Sequence, residues 1–322
     1  MNNIRNWCGR HSSPLLLIGV CFMVMFFLSL ATHSFFSLKN IVNILEANSY
    51  RLILAIGMMC VMASGAIDLS VGSILSFSAI CMAKLLKAGL HADLSIAFAL
   101  ILGAAMGSLN GMLIYITRLN AFIITLATSF MYRGLSLIVT QGIPITKLPQ
   151  AFRNIGCGNL LGMEAGVTMA FASMLLLIPL FYHMRWGHYL MSLGGNPDAL
   201  ARSGVPIGRY RVSVFAYMGM LSALSGVIIT ARLNSAEANA GLSMEMDAIC
   251  AVIMGGTALH GGNGNLLGTV IAVFLLGLIR NGLTIMSVSS YYQQFITGFM
   301  LLCAVVIAEL RERQHRVSLD NT

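Results

Sequence analysis

The sequence predicts an all-α fold: a polytopic membrane helical bundle of about ten membrane-inserted segments, with interrupted helices, forming a single domain over residues 1–322. Composition is the first reason. Of 322 residues, 57% are hydrophobic and 9% charged, whereas soluble domains run near ~45–50% and ~25%, and the mean hydropathy is +0.84. The second is length, because uncharged windows recur at the ~20 residues needed to cross a ~30 Å hydrocarbon core at ~1.5 Å per residue. The third is punctuation, since Asp68 and clusters of glycine divide apolar stretches that would otherwise run on.

The elements follow in order. Arg5 and Arg10 precede an apolar run that begins at Pro14 and imitates a signal peptide, but it lacks an A-x-A ending and is expected to be a retained first helix. Uncharged windows then cover 14–37, 94–117, 165–184, 212–231, 248–279 and 281–308. Between them lie 52–67 and 69–83, separated only by Asp68, and 119–131, which continues beyond Arg133. The 248–279 window is too long for one span. Gly255-Gly256 and Gly261-Gly262-Asn263-Gly264 divide it into two helices meeting at a glycine turn.

An even count puts both ends on one side. With the N-terminus cytoplasmic, the inside group is Arg5, Arg10, Arg118, Arg185, Arg202, Arg209, Arg211, Arg311, Arg313 and Arg316. It outnumbers the outside group of Lys39, Arg51, Lys84, Lys87, Lys147, Arg153 and Arg232, as the positive-inside rule asks. Residues 1–13 and 309–322 are then cytoplasmic, 142–164 is external, and 185–211 is a cytoplasmic loop.

Several function classes drop out. The net charge of +8 is scattered rather than gathered into a patch, so nucleic acid is not an expected partner. Seven cysteines form neither a disulfide framework nor a C-x-x-C metal pair. The 22 methionines do not cluster with His or Cys and read as core filler, and His260 reads as a loop residue. No metal, cofactor or catalytic residue is expected. No G-x-x-x-x-G-K-[ST] occurs, so ATP use would need an ATPase on another chain.

Within 185–211, Asn196 can cap a helix that starts at Pro197, with Asp198 favourable in its first turn and Gly204 ending it. The alternatives are an ordinary surface helix or a docking element for a partner. Asp68 also has two readings. A charge there costs ~2.5–3.5 kcal/mol at a span centre, so it either caps a helix beginning near Leu69 or belongs to a broken helix that lines a route through the membrane. Asp68, Ser70, Thr125 and Asn281 are the candidate path residues. Arg133 and Arg280 lie inside spans, where snorkelling to water is the ordinary fate; pairing of Arg280 with Asp68 is the alternative. Gly107 and Gly111 suit close helix packing.

Four ordered stretches carry a resemblance: Gly65-Ala66-Ile67-Asp68-Leu69-Ser70-Val71-Gly72; Gly195-Asn196-Pro197-Asp198-Ala199 with Ser203-Gly204-Val205; Met246-Asp247-Ala248-Ile249 with Gly255-Gly256-Thr257-Ala258-Leu259-His260-Gly261-Gly262; and Ile279-Arg280-Asn281-Gly282-Leu283 with Val288-Ser289-Ser290. In this the sequence resembles the permease subunit of bacterial ATP-binding-cassette sugar importers of the ribose, arabinose and xylose group. It departs from them at Asn120-Ala121, where many members carry prolines, and at Asn263-Gly264-Asn265, which replaces a commonly basic turn.

The resemblance implies a multi-pass inner-membrane permease that is not itself an enzyme. It would move a pentose, hexose or related polyol from periplasm to cytoplasm. The implied partners are cytoplasmic ATPase subunits, a periplasmic sugar-binding protein, and a second permease copy or paralogue. Gly195, Asn196, Pro197, Asp198, Ala199, Ser203, Gly204 and Val205 match the family's coupling helix. The rival expectation is a self-sufficient, ion-coupled secondary carrier, which would need carboxylates or histidines at a central cavity.

Overall fold

The computed structural model describes residues 2–32, 35–160 and 162–320, with the side chains of 2–15, 31, 290, 308 and 311–320 outside the description. Arg5, Arg10, Arg311, Arg313 and Arg316, which weigh in the arginine count, lie among those side chains, and Met1 lies outside altogether. The elements are α1 (Asn2–Ala31), α2 (Leu38–Ala63), α3 (Val71–Lys87), α4 (Ala92–Thr117), α5 (Ala121–Thr140), α6 (Gln150–Cys157), α7 (Ala165–Tyr182), α8 (Arg185–Gly195), α9 (Pro197–Arg202), α10 (Ile207–Leu233), α11 (Met244–Met254), α12 (Leu266–Ile285) and α13 (Ser290–Asp320).

Six of these, α2, α4, α5, α7, α10 and α12, are long and apolar enough to cross a membrane. The expected count of about ten is corrected to six by that measure. Hydropathy scores apolar residues without asking whether the backbone stays helical through a bilayer, and α3 has 17 residues and α11 only 11. Among the described residues, the apolar parts of α1 and α13 are Leu16–Leu30 and Tyr291–Ile307.

The core is built around α2. Every residue from Leu52 to Ala63 is buried, the signature of a helix apolar on all sides, and α7, α10, α11 and α12 pack around it. Ser37 starts α2 by accepting a hydrogen bond from the Asn40 amide at 3.3 Å. A second group gathers on α10, which meets α3 and α4. Gly103, Gly107 and Gly111 of α4 recur at four-residue spacing and face Gly219, Phe215 and Val212 of α10 in antiparallel order. Without a driving force from water between helices, small residues that admit close backbone approach are what holds such a pair.

The expected division of 248–279 holds, with α11 ending at Met254 and α12 beginning at Leu266. The window at 281–308 is divided differently. Asn281 belongs to α12, and a turn at 286–289 intervenes, with Ser287 at φ +55° and the Val288 amide donating to Leu283 O. α5 runs unbroken through Arg133.

The segment 142–164, expected to be external, carries secondary structure of its own. Ile145–Thr146 pairs antiparallel with Ser235–Ala236, and Asn159–Leu160 with Met163–Glu164, short strands that the all-α expectation omits. Phe152 of α6 is fully buried, and α6 packs on α10.

The α4–α10 contact gives the first prediction. A methyl at Gly107 would collide with the Phe215 carbonyl, whereas nothing lies within 4 Å of one at Gly298 of α13. Gly107→Ala should cost about 1–3 kcal/mol through overpacking and lower the melting temperature of the purified protein, and Gly298→Ala should leave it unchanged.

Candidate functional site

The chain between α2 and α3, residues 64–70, is not helical, and all of it but Gly65 and Ile67 is buried. Asp68 sits there at 0% exposure. Its Oδ1 accepts from the Ser70 amide at 2.8 Å and from Ser70 Oγ at 2.6 Å. The helix starts at Val71 with Ser70 as its N-cap, so the expected cap of a helix near Leu69 is corrected: Asp68 closes the turn that precedes the helix. The reason is local, because an aspartate most readily hydrogen-bonds a backbone amide two residues on.

Neighbouring helices complete the arrangement. Tyr132 of α5 places its hydroxyl 3.1 Å from Asn110 Oδ1, Asn110 Nδ2 of α4 donates to Ser70 Oγ at 2.7 Å, and Ser70 passes its hydroxyl proton toward Asp68. From α5, Thr125 Oγ1 accepts from the Leu69 amide at 3.1 Å. Asp68 Oδ2 is buried with no hydrogen-bond partner among the described residues. A buried acceptor that finds no partner costs about 1–3 kcal/mol.

The 185–211 loop carries the helix its sequence predicts. Asn196 Oδ1 accepts from the Ala199 amide at 2.9 Å, Pro197 occupies the first turn of α9, and Asp198 is exposed there. Ser203 Oγ donates to Ala199 O, Gly204 takes φ +78°, and the Val205 amide returns to Leu200 O. Leu200 is buried and anchors the inner face. Just before α9, Gly194 and Gly195 abut Gly65 and Gly262, and Arg211 at the start of α10 donates to Ser64 O at 3.1 Å.

A third cluster lies on α2, α11 and α12. Arg280 forms a two-pronged pair with Asp247, its Nη1 at 2.7 Å from Oδ2, and its Nη2 also reaches Thr297 Oγ1 of α13. Arg51 lies 4.0 Å from the same carboxylate. Neither free snorkelling nor a partnership with Asp68 describes Arg280. Asn281 and Asn40 exchange amide hydrogen bonds at 2.8 and 3.0 Å, which ties α12 to the start of α2. Arg133 donates to Ser76 Oγ at 3.1 Å and to the Ala238 and Ala240 carbonyls, so it is held by a loop rather than by water.

Of the predicted path residues, the structure brings Asp68, Ser70 and Thr125 together and places Asn281 elsewhere. Sequence reasoning gave no site role to Asn110, Tyr132 or Asp247, although Asp247 lies in a stretch that carries the resemblance. A polar residue inside an uncharged span is a visible signal for Asn110, but its partner is forty positions away. Among the described residues no group of His, Cys, Asp and Glu could hold a metal ion.

A family profile described as "Branched-chain amino acid transport system / permease component" matches residues 40–305. Among curated proteins, the ribose import permease protein RbsC of Escherichia coli (strain K12) is 36% identical over 305 residues, 94% of each chain. The D-allose transport system permease protein AlsC of the same organism is 34% identical over 289 residues, 89% of each. The L-arabinose ABC transporter permease protein AraH of Azospirillum brasilense is 30% identical over 300 residues, 93% of this chain and 88% of its own. No solved structure matches the chain.

Two predictions come from the site. Asp68→Asn retains an oxygen that can accept both Ser70 bonds and should keep near-normal melting and membrane levels, while Asp68→Leu strands two buried donors and should lose at least about 1–3 kcal/mol. Arg280→Met leaves Asp247 with Arg51 at 4.0 Å and should cost less than the double variant Arg51→Met/Arg280→Met, which removes both cations and should approach about 3–5 kcal/mol. Thermal denaturation of the single and double variants measures the coupling.

Proposed function

The chain belongs to the branched-chain amino acid transport system / permease component family, and on that premise we propose that it is the transmembrane subunit of an ATP-binding-cassette importer that carries a small sugar into the cell. The observation that carries the proposal is similarity along nearly the whole chain to permeases named for ribose, allose and arabinose. ATP hydrolysis belongs to separate subunits, and a substrate-binding protein delivers the cargo. Membership of an ATP-driven family sets aside the self-sufficient ion-coupled carrier.

Cargo that is uncharged suits the interior. Arg280 and Arg51 share Asp247, and Arg232 lies 3.5 Å from Glu46, so these intramembrane charges satisfy one another. Asp68, Ser70 and Thr125 are assigned to the translocation path, with Asp68 Oδ2 as the acceptor available to a sugar hydroxyl. Asn281 is assigned to the same path through its hold on Asn40, which fixes how α12 leans on α2. A pentose or hexose is the proposed cargo, and the working unit is a dimer with a second copy or a paralogue in the inner membrane.

Residues 185–211 are placed in the cytoplasm as the coupling loop, with Gly195, Asn196, Pro197, Asp198, Ala199, Ser203, Gly204 and Val205 meeting the ATPase. Six crossings are an even number, and adding α1, α3, α11 and α13 as inserted segments keeps it even. Residues 1–13 and 309–322 are therefore assigned to the cytoplasm and 142–164 to the periplasm, in line with the arginine bias.

The test is uptake of labelled ribose, allose and arabinose into vesicles holding the permease, its ATPase and its binding protein. Uptake of at least one sugar should require ATP and all three components; uptake driven by an ion gradient without ATP would overturn the proposal. Ala199→Asp should insert normally yet lose the co-purifying ATPase, because a helix seated in a partner's groove does not accept a buried unpaired charge.

A further inference from the structure

Three turns from distant parts of the chain meet at one point. They are the end of α2 with its break (Ala63, Gly65), the end of α8 next to α9 (Gly194, Gly195), and the loop between α11 and α12 (Gly261, Gly262). The Gly262 amide donates to Ala63 O at 2.9 Å. A methyl on Gly194 would lie 2.5 Å from Gly262 N and 2.9 Å from Gly65 N; one on Gly261 would lie 2.8 Å from the Gly194 Cα. One on Gly262 would lie 3.2 Å from the Gly195 Cα. Backbone therefore meets backbone on all three sides, with no side chain between.

Gly65, Gly261 and Gly262 also take φ +76°, +87° and +83°, a region that side-chain-bearing residues rarely enter. Gly103 joins α4 to α10, and Gly255 joins α11 to α12. The meeting of the three turns joins the segment leading into α9 to both interrupted stretches of the bundle, 64–70 and 255–265. Arg211 adds a fourth hold through Ser64 O.

We infer that this glycine junction transmits displacement of α9 to both interrupted stretches at once, with Gly194 as the positioning residue; the inference rests on the coupling-helix reading of α9. The reason is mechanical. Close-packed interiors have low compressibility and pass strain on, while a contact made through a long side chain can be absorbed by a change of rotamer. A bare backbone contact has no such slack. Movement of Gly194 must carry Ala63 and Gly262 with it, and the 64–70 stretch leads directly to Asp68.

The experiment compares wild type, Gly194→Ala, Ala199→Asp and Gly107→Ala as complexes with the ATPase in vesicles, supplied with sugar-loaded binding protein. Gly194→Ala should keep the ATPase co-purifying while stimulation of hydrolysis by loaded binding protein falls about tenfold, within the range of ordinary coupling energies. Gly107→Ala overpacks α4 on α10, away from the junction, and should lower the melting temperature while keeping stimulation per complex. Full stimulation in Gly194→Ala, or loss of its ATPase, overturns the transmission role. If Ala199→Asp retains both ATPase and stimulation, the coupling-helix reading itself fails, whatever Gly194 does.

Hydrogen exchange on the wild-type complex covers the case in which Gly194→Ala does not insert. Exchange at 63–65 and 261–262 should change together with that at 196–203 between ATP-bound and nucleotide-free states. Change at 196–203 with neither turn following overturns the junction, and no change in any of the three sinks the coupling-helix reading.

Discussion

Backbone polar groups that leave a helix inside a membrane have no water to turn to, so each must find a partner in the protein. That constraint governs the two interrupted stretches on which this bundle is organised. At 64–70, Ala63 O is met by the Gly262 amide, Ser64 O by Arg211, and the Leu69 amide by Thr125. At 255–265, the Thr257 amide turns back to Val252 O, and Thr257 Oγ1 accepts from the Asn265 amide. The first break is satisfied by residues of other elements, and the second by its own residues together with Tyr182 of α7, which donates to Gly264 O at 3.2 Å. Neither could exist in an isolated hairpin.

The same requirement orders the polar side chains. Tyr132, Asn110 and Ser70 form a donor chain that converges on one oxygen of Asp68 and leaves the other unmet. Elsewhere the charges close on themselves, as Arg280 with Asp247 and Arg232 with Glu46. On the proposed path, the hydroxyl, amide and carboxyl oxygen groups of Ser70, Thr125, Asn110 and Asp68 would meet the cargo. Such groups suit a neutral polyol, because hydrogen bonds to many hydroxyls discriminate without the desolvation penalty of an ion.

Energy from another subunit can act on such a path only through the surface of the bundle. α9 is short, capped at its start by Asn196 and ended by Gly204, and Leu200 fastens it to the molecule. It sits beside the point where both interrupted stretches come to the surface. Small-residue packing of α4 on α10 and the all-round burial of α2 supply a body stiff enough for movement at that point to be felt within.

The sequence by itself determined the membrane bundle, the glycine division of 248–279 and the capped helix at 197–202. Each is encoded locally, in runs of apolar residues, in glycine, or in the Asn196-Pro197 step. It overcounted spans because α3 and α11 are apolar but too short to cross by themselves. Tertiary structure alone decided the partners. Asn110 finds Ser70, Asn281 finds Asn40, and Arg280 finds Asp247 rather than Asp68. Contacts across such separations depend on how helices lean and rotate against one another, and close packing of small residues sets those angles without leaving a spacing that can be read along the chain.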